Sequence, residues 1–424
     1  MVGTHRAPRF AVRSVALAVV VASLVAVTSV SASQAATKRQ AVPGFDGSTI
    51  TIAGYGIKQQ LPGAEVGARA RVQQFNDTNE IKGVKIDFKE FADDGQSAAT
   101  ALSEVRRLVA EDGVFAIVPD DSLNTPHDYI TQQKVPTFGG GFTGAYCTPK
   151  PDKTIWLFGF QGCQVTDKPA VTGDSEELIL KYVREQTGKQ HPTIAHIIND
   201  TPSGKTAIRL HAAQVKGGGW GKETYNKASL PLNAADFTPY VQDLMKAGAN
   251  GGPPDVIRCG ADFASCLSIY KLLRAQGFTG EFEHNSYDDR VAASFKDTIV
   301  ANPFSNPVDG GAAYDTLNKY VAAVKPGQKL DSGVLYGYLQ TDMFVQALKK
   351  AAKSGKAGIT RANVQKAAAN QTWEIKGLAG PTTFPASTVT PTPLCRSIVK
   401  SDGTKWNTVE PYSCTTKTYK VAAQ

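Results

Sequence analysis

The chain contains no CxxC pair and no HExxH, and its 6 histidines are dispersed, so no spacing suits a metal site and none is expected. A GxSxG nucleophile elbow is also missing. TPSGKT at 201–206 fails as a phosphate loop, because Asn199 stands where the first glycine is required. The glycine-rich stretch at 217–221 follows a helical pattern rather than a strand, the wrong setting for a dinucleotide fingerprint. Neither catalysis nor a cofactor is expected. Basic residues are scattered and not interleaved with aromatics, which removes nucleic acid from the expected partners. No cysteine precedes Cys147, so the apolar N-terminal stretch is not followed by a lipid-attachment cysteine.

That stretch reads as an export signal over residues 1–36. Arg6, Arg9 and Arg13 form a basic start, Val15 to Val27 is apolar, and VSASQAA offers the small residues a signal peptidase accepts. Cleavage is expected after Ala35 or Ala36, giving a soluble periplasmic or extracellular chain. A retained membrane anchor is the competing reading, but the apolar run is short for a bilayer span. Removal takes three arginines and no acid, so the formal charge of +8 falls to +5, mild for a chain this long. Six cysteines in an exported chain suggest three disulfides, with the connectivity left open. The simplest pairing joins nearest neighbours: Cys147 with Cys163, Cys259 with Cys266, and Cys395 with Cys414. The last pair has separate support, because RSIVK and TKWNTV flank the turn signal Ser401-Asp402-Gly403.

A content of 42% hydrophobic and 20% charged residues describes an ordinary globular protein, and 424 residues exceed what one compact core serves, so two lobes are expected. The clearest local signal is Val84 to Pro119. Val84, Ile86 and Phe88 alternate with polar residues as in a strand. Asp93, Asp94 and Gly95 interrupt the run and offer a helix N-cap, after which Ala98, Ala101, Leu102, Val105, Leu108 and Val109 recur at helical spacing. Gly113 closes the helix, and FAIVP is an apolar run suited to a strand buried on both faces. The unit is a parallel βαβ. With ITIAGYGI before it and VPTFGG after it, four strands and their helices make one doubly wound lobe.

The pattern restarts near Ser175. TIAHII, ETYNKASLPL, DVIRCG and GEFEHN read as strands, the second as an edge strand, with helices between them. The predicted domains are a first lobe over 48–163, to which 308–372 returns, and a second over 164–307, with a C-terminal segment and hairpin over 378–424. In such α/β sheets ligands lie outside the carboxyl ends of the strands, which selects the loops after these runs.

The order of elements resembles that of the type I periplasmic binding proteins, in particular the substrate-binding subunits of branched-chain amino acid ABC transporters. The carriers are FNDTNEIKGVKIDFKEFADDGQSAATALSEVRRLVAEDGVFAIVP, KVPTFGGGFT, DFTPYVQDLMKAGANGGPPDVIRCG and LYGYLQTDMFVQALKKA. The resemblance implies two α/β lobes joined by a three-stranded hinge, with a cleft that closes on a small polar organic ligand of amino acid, amide or organic acid type. It implies delivery to the membrane permease of an ABC importer by a chain expected to be monomeric. Carried over by position, Asp121 or Ser122 falls where a serine binds a ligand carboxylate, with Gly141 and Thr143 completing that site and Phe142 between them. Ser203 stands where many relatives have tyrosine. Ala261 and Asp262 lie at another contact loop, Tyr287 and Asp288 near the place of an acid that holds an amino group, and Tyr55 is a wall candidate. Ser203 makes leucine and its close analogues doubtful ligands.

Each of these residues also has a structural reading. Tyr55 and Phe142 suit core or hinge packing, Asp262 and Asp288 suit helix caps, and Gly139 to Gly141 suit a tight turn. Two other functions stay open from sequence: a secreted sensor or partner-binding protein of the same fold, and a secreted hydrolase.

Overall fold

The computed structural model describes residues 3, 42–163, 171–221, 225–231, 234–387, 389 and 394–422. Gly3 apart, the predicted export signal lies outside them. The first sheet is built from β1 (Thr49–Gly56), β2 (Lys85–Asp93), β3 (Ala116–Asp121), β4 (Thr137–Gly139) and β5 (Leu157–Gly159), in the order β2-β1-β3-β4-β5 with every pair parallel. Helices α1 (Ala64–Asp77), α2 (Ala98–Arg106) and α3 (His127–Gln132) connect the first four strands. The sequence yields four of these strands; β5 is only Leu157–Gly159, too short for its period to register. The cap of α2 is Ser97, which accepts from Thr100 N at 3.4 Å, and not the Asp93-Asp94 pair. Beyond α2 the chain widens into one turn in which Asp112 N bonds back to Arg107 O at 3.0 Å.

After the small strand β6 (Val171–Gly173) the same scheme repeats. It runs through α4 (Glu177–Thr187), β7 (Ile194–Asn199), α5 (Pro202–Gly218), β8 (Tyr225–Leu230), α6 (Thr238–Leu244), β9 (Val256–Gly260), α7 (Phe263–Ala275), β10 (Glu281–His284), α8 (Asp289–Ser294) and β11 (Thr298–Asn302). Strands β8-β7-β9-β10-β11 are all parallel and follow the same spatial order as the first sheet. Each sheet therefore has one point where strand order reverses, between β1 and β3 in the first and between β7 and β9 in the second. Such switch points open a crevice at the carboxyl ends of the strands.

Three helices then follow: α9 (Ala312–Val324), α10 (Ser332–Ala351) and α11 (Arg361–Ala368). Helix α10 crosses α1 so closely that a β-carbon on Gly67 would lie 1.9 Å from the Val334 carbonyl oxygen, and one on Gly337 2.0 Å from that of Ala64. The chain continues through the hairpin β12 (Thr372–Ile375) and β13 (Ala379–Thr383) to β14 (Leu394–Ser401) and β15 (Trp406–Thr415). These last two extend the second sheet in antiparallel fashion, and β16 (Thr418–Lys420) pairs with β6. The hairpin expected around Ser401-Asp402-Gly403 is β14–β15, with Cys395 opposite Cys414.

The connections between the two halves lie against one another. Thr382 donates to the Phe160 carbonyl, and Ser305 donates from N to Leu378 O at 2.8 Å and from Oγ to Gly377 O at 2.9 Å. This is the three-stranded hinge. Disulfides join Cys147–Cys163, Cys259–Cys266 and Cys395–Cys414, the last with its Cys395 Sγ 3.3 Å from the Gly380 carbonyl oxygen beside the hinge. Among the described residues no helix is long and apolar enough to cross a membrane.

Candidate functional site

At the first switch point β1 and β3 end side by side, Tyr55 opposite Asp120 and Gly56 opposite Asp121. Both aspartates are buried. Asp120 accepts from the Tyr146 hydroxyl, from Ser122 N at 3.1 Å and from Thr125 Oγ1 at 3.1 Å, yet burial outweighs these donors and pushes its carboxyl up to about 6. Asp121 has less support. Its Oδ1 accepts from Gln340 Nε2 at 2.6 Å, its Oδ2 is buried without a partner, and burial pushes the group up to about 7. The Ser122 hydroxyl donates to buried Asp94 and accepts from Asn124 N at 2.9 Å. Its proton is therefore already committed. Tyr55 is wholly buried, with a hydroxyl that lacks a partner and is held above its usual pKa by burial and by the Asp120 charge.

The next turn follows β4. Gly141 has φ +84, and a β-carbon there would lie 2.6 Å from the Gly162 carbonyl oxygen, so the position needs glycine on two counts. Phe142 packs against Tyr336 of α10 with ring centroids 5.5 Å apart, and the Thr143 hydroxyl is buried without a partner. The structure thus gathers Tyr55, Asp121, Ser122, Gly141, Phe142 and Thr143 at adjacent carboxyl ends of one sheet.

The second switch point carries charge that sequence reading missed. His196 on β7, Arg258 on β9 and Glu283 on β10 stand in register as one row. Arg258 donates from Nη1 to Glu176 Oε1 at 2.5 Å and from Nη2 to Glu283 Oε1 at 2.7 Å. Buried His211 on α5 lies with its Nε2 3.8 Å from Glu176 Oε2, and its ring is 4.5 Å from that of His196. One guanidinium thus serves two buried carboxylates. Against burial, which pushes it up, Arg258 and His211 hold Glu176 well below the usual carboxylate range, whereas burial prevails at Glu283 and pushes it up to about 7. The available signal was an arginine inside the apolar run DVIRCG, a residue that a strand covered on both faces accepts only with partners.

The positions predicted for the second half end at the carboxyl ends of these strands, mostly with local roles. Ser203 sits in the first turn of α5, whose cap is Thr201. Ala261 is buried after β9. Asp262 caps α7, with one oxygen on Ser265 N at 3.0 Å and the other on Ser265 Oγ at 2.6 Å. Asp288 caps α8 and chelates the Arg290 guanidinium at 2.7–3.0 Å. Tyr287 stacks on Trp406 at 5.6 Å, and its backbone is tied to the start of α10, N to Ser332 Oγ at 2.9 Å and O to Ser332 N at 2.8 Å.

This architecture has a match among protein families. A family model described as periplasmic binding protein matches residues 50–395. The chain belongs to the periplasmic binding protein family. Solved structures of the same fold include the fatty acid ABC transporter substrate-binding protein from Thermomonospora curvata, at 19% identity and TM-score 0.68 over 89% of this chain and 95% of that one. The branched-chain amino acid transporter substrate binding protein LivJ from Streptococcus pneumoniae, in complex with isoleucine, matches at 17% identity and TM-score 0.64 over 87% of this chain and 100% of that one. A solute binding protein from R. palustris in complex with 4-hydroxybenzoate matches at 14% identity and TM-score 0.64, over 87% of this chain and 98% of that one. At these identities the likeness is one of fold. Among curated proteins no sequence matches. The sequence resemblance to type I periplasmic binding proteins is thereby confirmed, as is the α/β fold with its parallel sheets.

Proposed function

We propose that this periplasmic binding protein is an exported solute-binding subunit of an ABC importer, capturing a small organic ligand between two lobes and presenting it to membrane permease subunits. The lobes are residues 48–163 with 308–372, and 164–307 with 378–424. The observation that carries the reading is the repeated switch point: two parallel sheets of one strand order, each ending in polar groups, linked by three adjacent hinge segments. Ligand bound between such ends touches both lobes only when they close, and that difference in contact favours closure. No bond to the ligand is made or broken. The monomeric state, the absence of a cofactor and the export signal over 1–36 belong to the same proposal.

Neighbours of this fold carry ligands as different as isoleucine and 4-hydroxybenzoate, so the fold leaves the ligand open. The contacts proposed in the first lobe are Tyr55, Asp121, Ser122, Gly141, Phe142 and Thr143, and in the second Ser203, Ala261, Asp262, Tyr287 and Asp288. Mass spectrometry of small molecules released on denaturing the purified protein tests the function, together with a thermal-shift screen of amino acids, amides and organic acids. A stoichiometric released solute, or a compound that raises Tm with concentration, is expected. The absence of both a released solute and stabilisation by any small molecule would sink the proposal.

A further inference from the structure

Three buried carboxylates, Asp94, Asp120 and Asp121, surround the loop after β3, and among the described residues none of them has an ion-pair partner. The buried cation of the helices packed on this sheet, Arg71 of α1, is turned to Glu80 and Asp342 instead. Two of the three carboxylates are well supplied with neutral donors. Asp94 accepts from the Ser122 hydroxyl and from Gln96 N at 2.8 Å, and Asp120 from Tyr146, Thr125 and Ser122 N. Asp121, the last residue of β3, is the incomplete one: its Oδ2 is buried and bonded to nothing.

A second vacant acceptor lies beside it. Gln340 of α10 is wholly buried and donates from Nε2 to Asp121 Oδ1 at 2.6 Å, which fixes the amide orientation, because a carboxylate offers no hydrogen to the amide oxygen. Gln340 Oε1 is left without a donor. One turn earlier on the same face of α10, Tyr336 packs against Phe142 at 5.5 Å, Phe160 at 5.3 Å and Phe304 at 6.1 Å. Phe142 follows β4 of the first sheet and Phe304 follows β11 of the second, so these rings stand where the two halves meet. An anion brought here meets like charge, and the Ser122 hydroxyl already donates to Asp94. A group with N–H donors and positive charge meets two vacant acceptor oxygens and aromatic rings, the set that holds an organic cation.

We propose that the ligand carries a cationic nitrogen with N–H groups, as an amine, amidine or guanidine does, and that Asp121 and the Gln340 amide oxygen hold it beside the Tyr336 and Phe142 rings. This assignment rests on the solute-binding reading above. It reverses the polarity that the resemblance implies for this loop, where a ligand carboxylate is expected.

The test is calorimetric titration of the mature chain with benzylamine, isobutylamine, benzamidine and butylguanidine. Benzyl alcohol and isobutanol serve as uncharged counterparts of the two amines, benzamide and butylurea as those of the other two, and benzoate as an anion. Solutes released from the purified protein on denaturation are identified by mass spectrometry. Asp121→Asn keeps the size of the side chain and an oxygen to accept from Gln340, and it removes a buried charge that no cation balances, so the variant folds. Glu111→Gln removes one exposed negative charge as a control. The expected result is binding of at least one of the four cations or release of a solute with a basic nitrogen, with each neutral counterpart about 10-fold weaker or more. Asp121→Asn should weaken the bound cation by about 10- to 100-fold, the size of one hydrogen bond to a charged group, and Glu111→Gln should leave it unchanged. Neutral counterparts that bind as well as the cations, or equal affinities in Asp121→Asn and Glu111→Gln, overturn the assignment. So does a released solute without a basic nitrogen, or binding of benzoate alone, and either leaves the solute-binding function standing. No binding of any probe and no released solute remove both.

Discussion

Gln340 donates from Nε2 to Asp121 Oδ1 at 2.6 Å, while the other oxygen of the same carboxylate is buried with no partner. One neutral donor does not offset the burial of a full charge, so the group is pushed up to about 7 from an ordinary 3.8. The folded state therefore binds a proton that the unfolded chain has released between those two values. Stability falls as pH rises through that window, and the penalty is complete above 7. Asp121→Asn should flatten the slope of unfolding free energy between pH 5 and 8 by on the order of 1–3 kcal/mol. Denaturant titrations at the two pH values check this; an unchanged slope would show that Asp121 is not the titrating group.

The crossing of α1 and α10 leaves no space for a side chain at its centre. A β-carbon at Gly67 or Gly337 would meet a backbone carbonyl of the opposite helix, and backbone cannot step aside as a flexible side chain can. Gly67→Ala and Gly337→Ala should each cost about 3 kcal/mol, against helix propensity, which alone favours alanine. The double variant should cost less than the sum, because the first substitution already forces the helices apart. Chemical denaturation of the two single variants and the double variant tests both claims, and full additivity would count against a shared contact.

Much of this fold was legible because local pattern and tertiary environment agree. Ala116 to Val118 form an apolar run and lie buried in the first sheet; the alternation of Ile86 and Phe88 matches a strand with one exposed edge of side chains. Where the signal is short or carried by few apolar residues, it fails, as at Leu157–Gly159. Site residues divide along another line. The loops at strand ends follow from topology, and the resemblance put the candidate positions Asp121, Ser122 and Gly141 on them. What those groups bond to could not: Ser122 meets Asp94 and Arg258 meets Glu176 through contacts 28 and 82 residues apart. A lone arginine in DVIRCG or in RSIVK signals a partner without saying which.

Arg71 stands between two acids inside the first half of the molecule. It is 4% exposed, donates from Nε to Asp342 Oδ1 at 2.7 Å and from Nη1 to Glu80 Oε1 at 2.7 Å, and Asp342 also accepts from Trp373 Nε1 at 3.0 Å. Removing the cation strands Asp342 where water does not reach freely. Arg71→Met should cost about 3–5 kcal/mol, and adding Asp342→Asn should restore a large part of it by removing the uncompensated charge. Thermal and urea unfolding of the single and double variants decides the matter. A double variant that is less stable than Arg71→Met would refute the charge explanation and leave lost packing as the cause.

The three disulfides close loops of unequal length, with sequence separations of 16, 7 and 19. A cross-link acts largely by restricting the unfolded chain, and the restriction grows slowly with the loop it closes. Replacing Cys395 and Cys414 together by alanine should therefore cost about 3 kcal/mol, and replacing Cys259 and Cys266 about 2 kcal/mol. The Cys395–Cys414 link also pins the open ends of β14 and β15, one residue before Arg396 and beside Gly380 of the hinge. Its loss should loosen this end of the second sheet beside the hinge as well as the fold, so affinity for a bound ligand should drop in that variant and not in the Cys259/Cys266 one. Unfolding free energies and titrations on the same two proteins separate the effects. Equal affinities would confine the role of Cys395–Cys414 to stability, and a larger stability loss at Cys259–Cys266 would mean that core packing, not loop closure, sets the order.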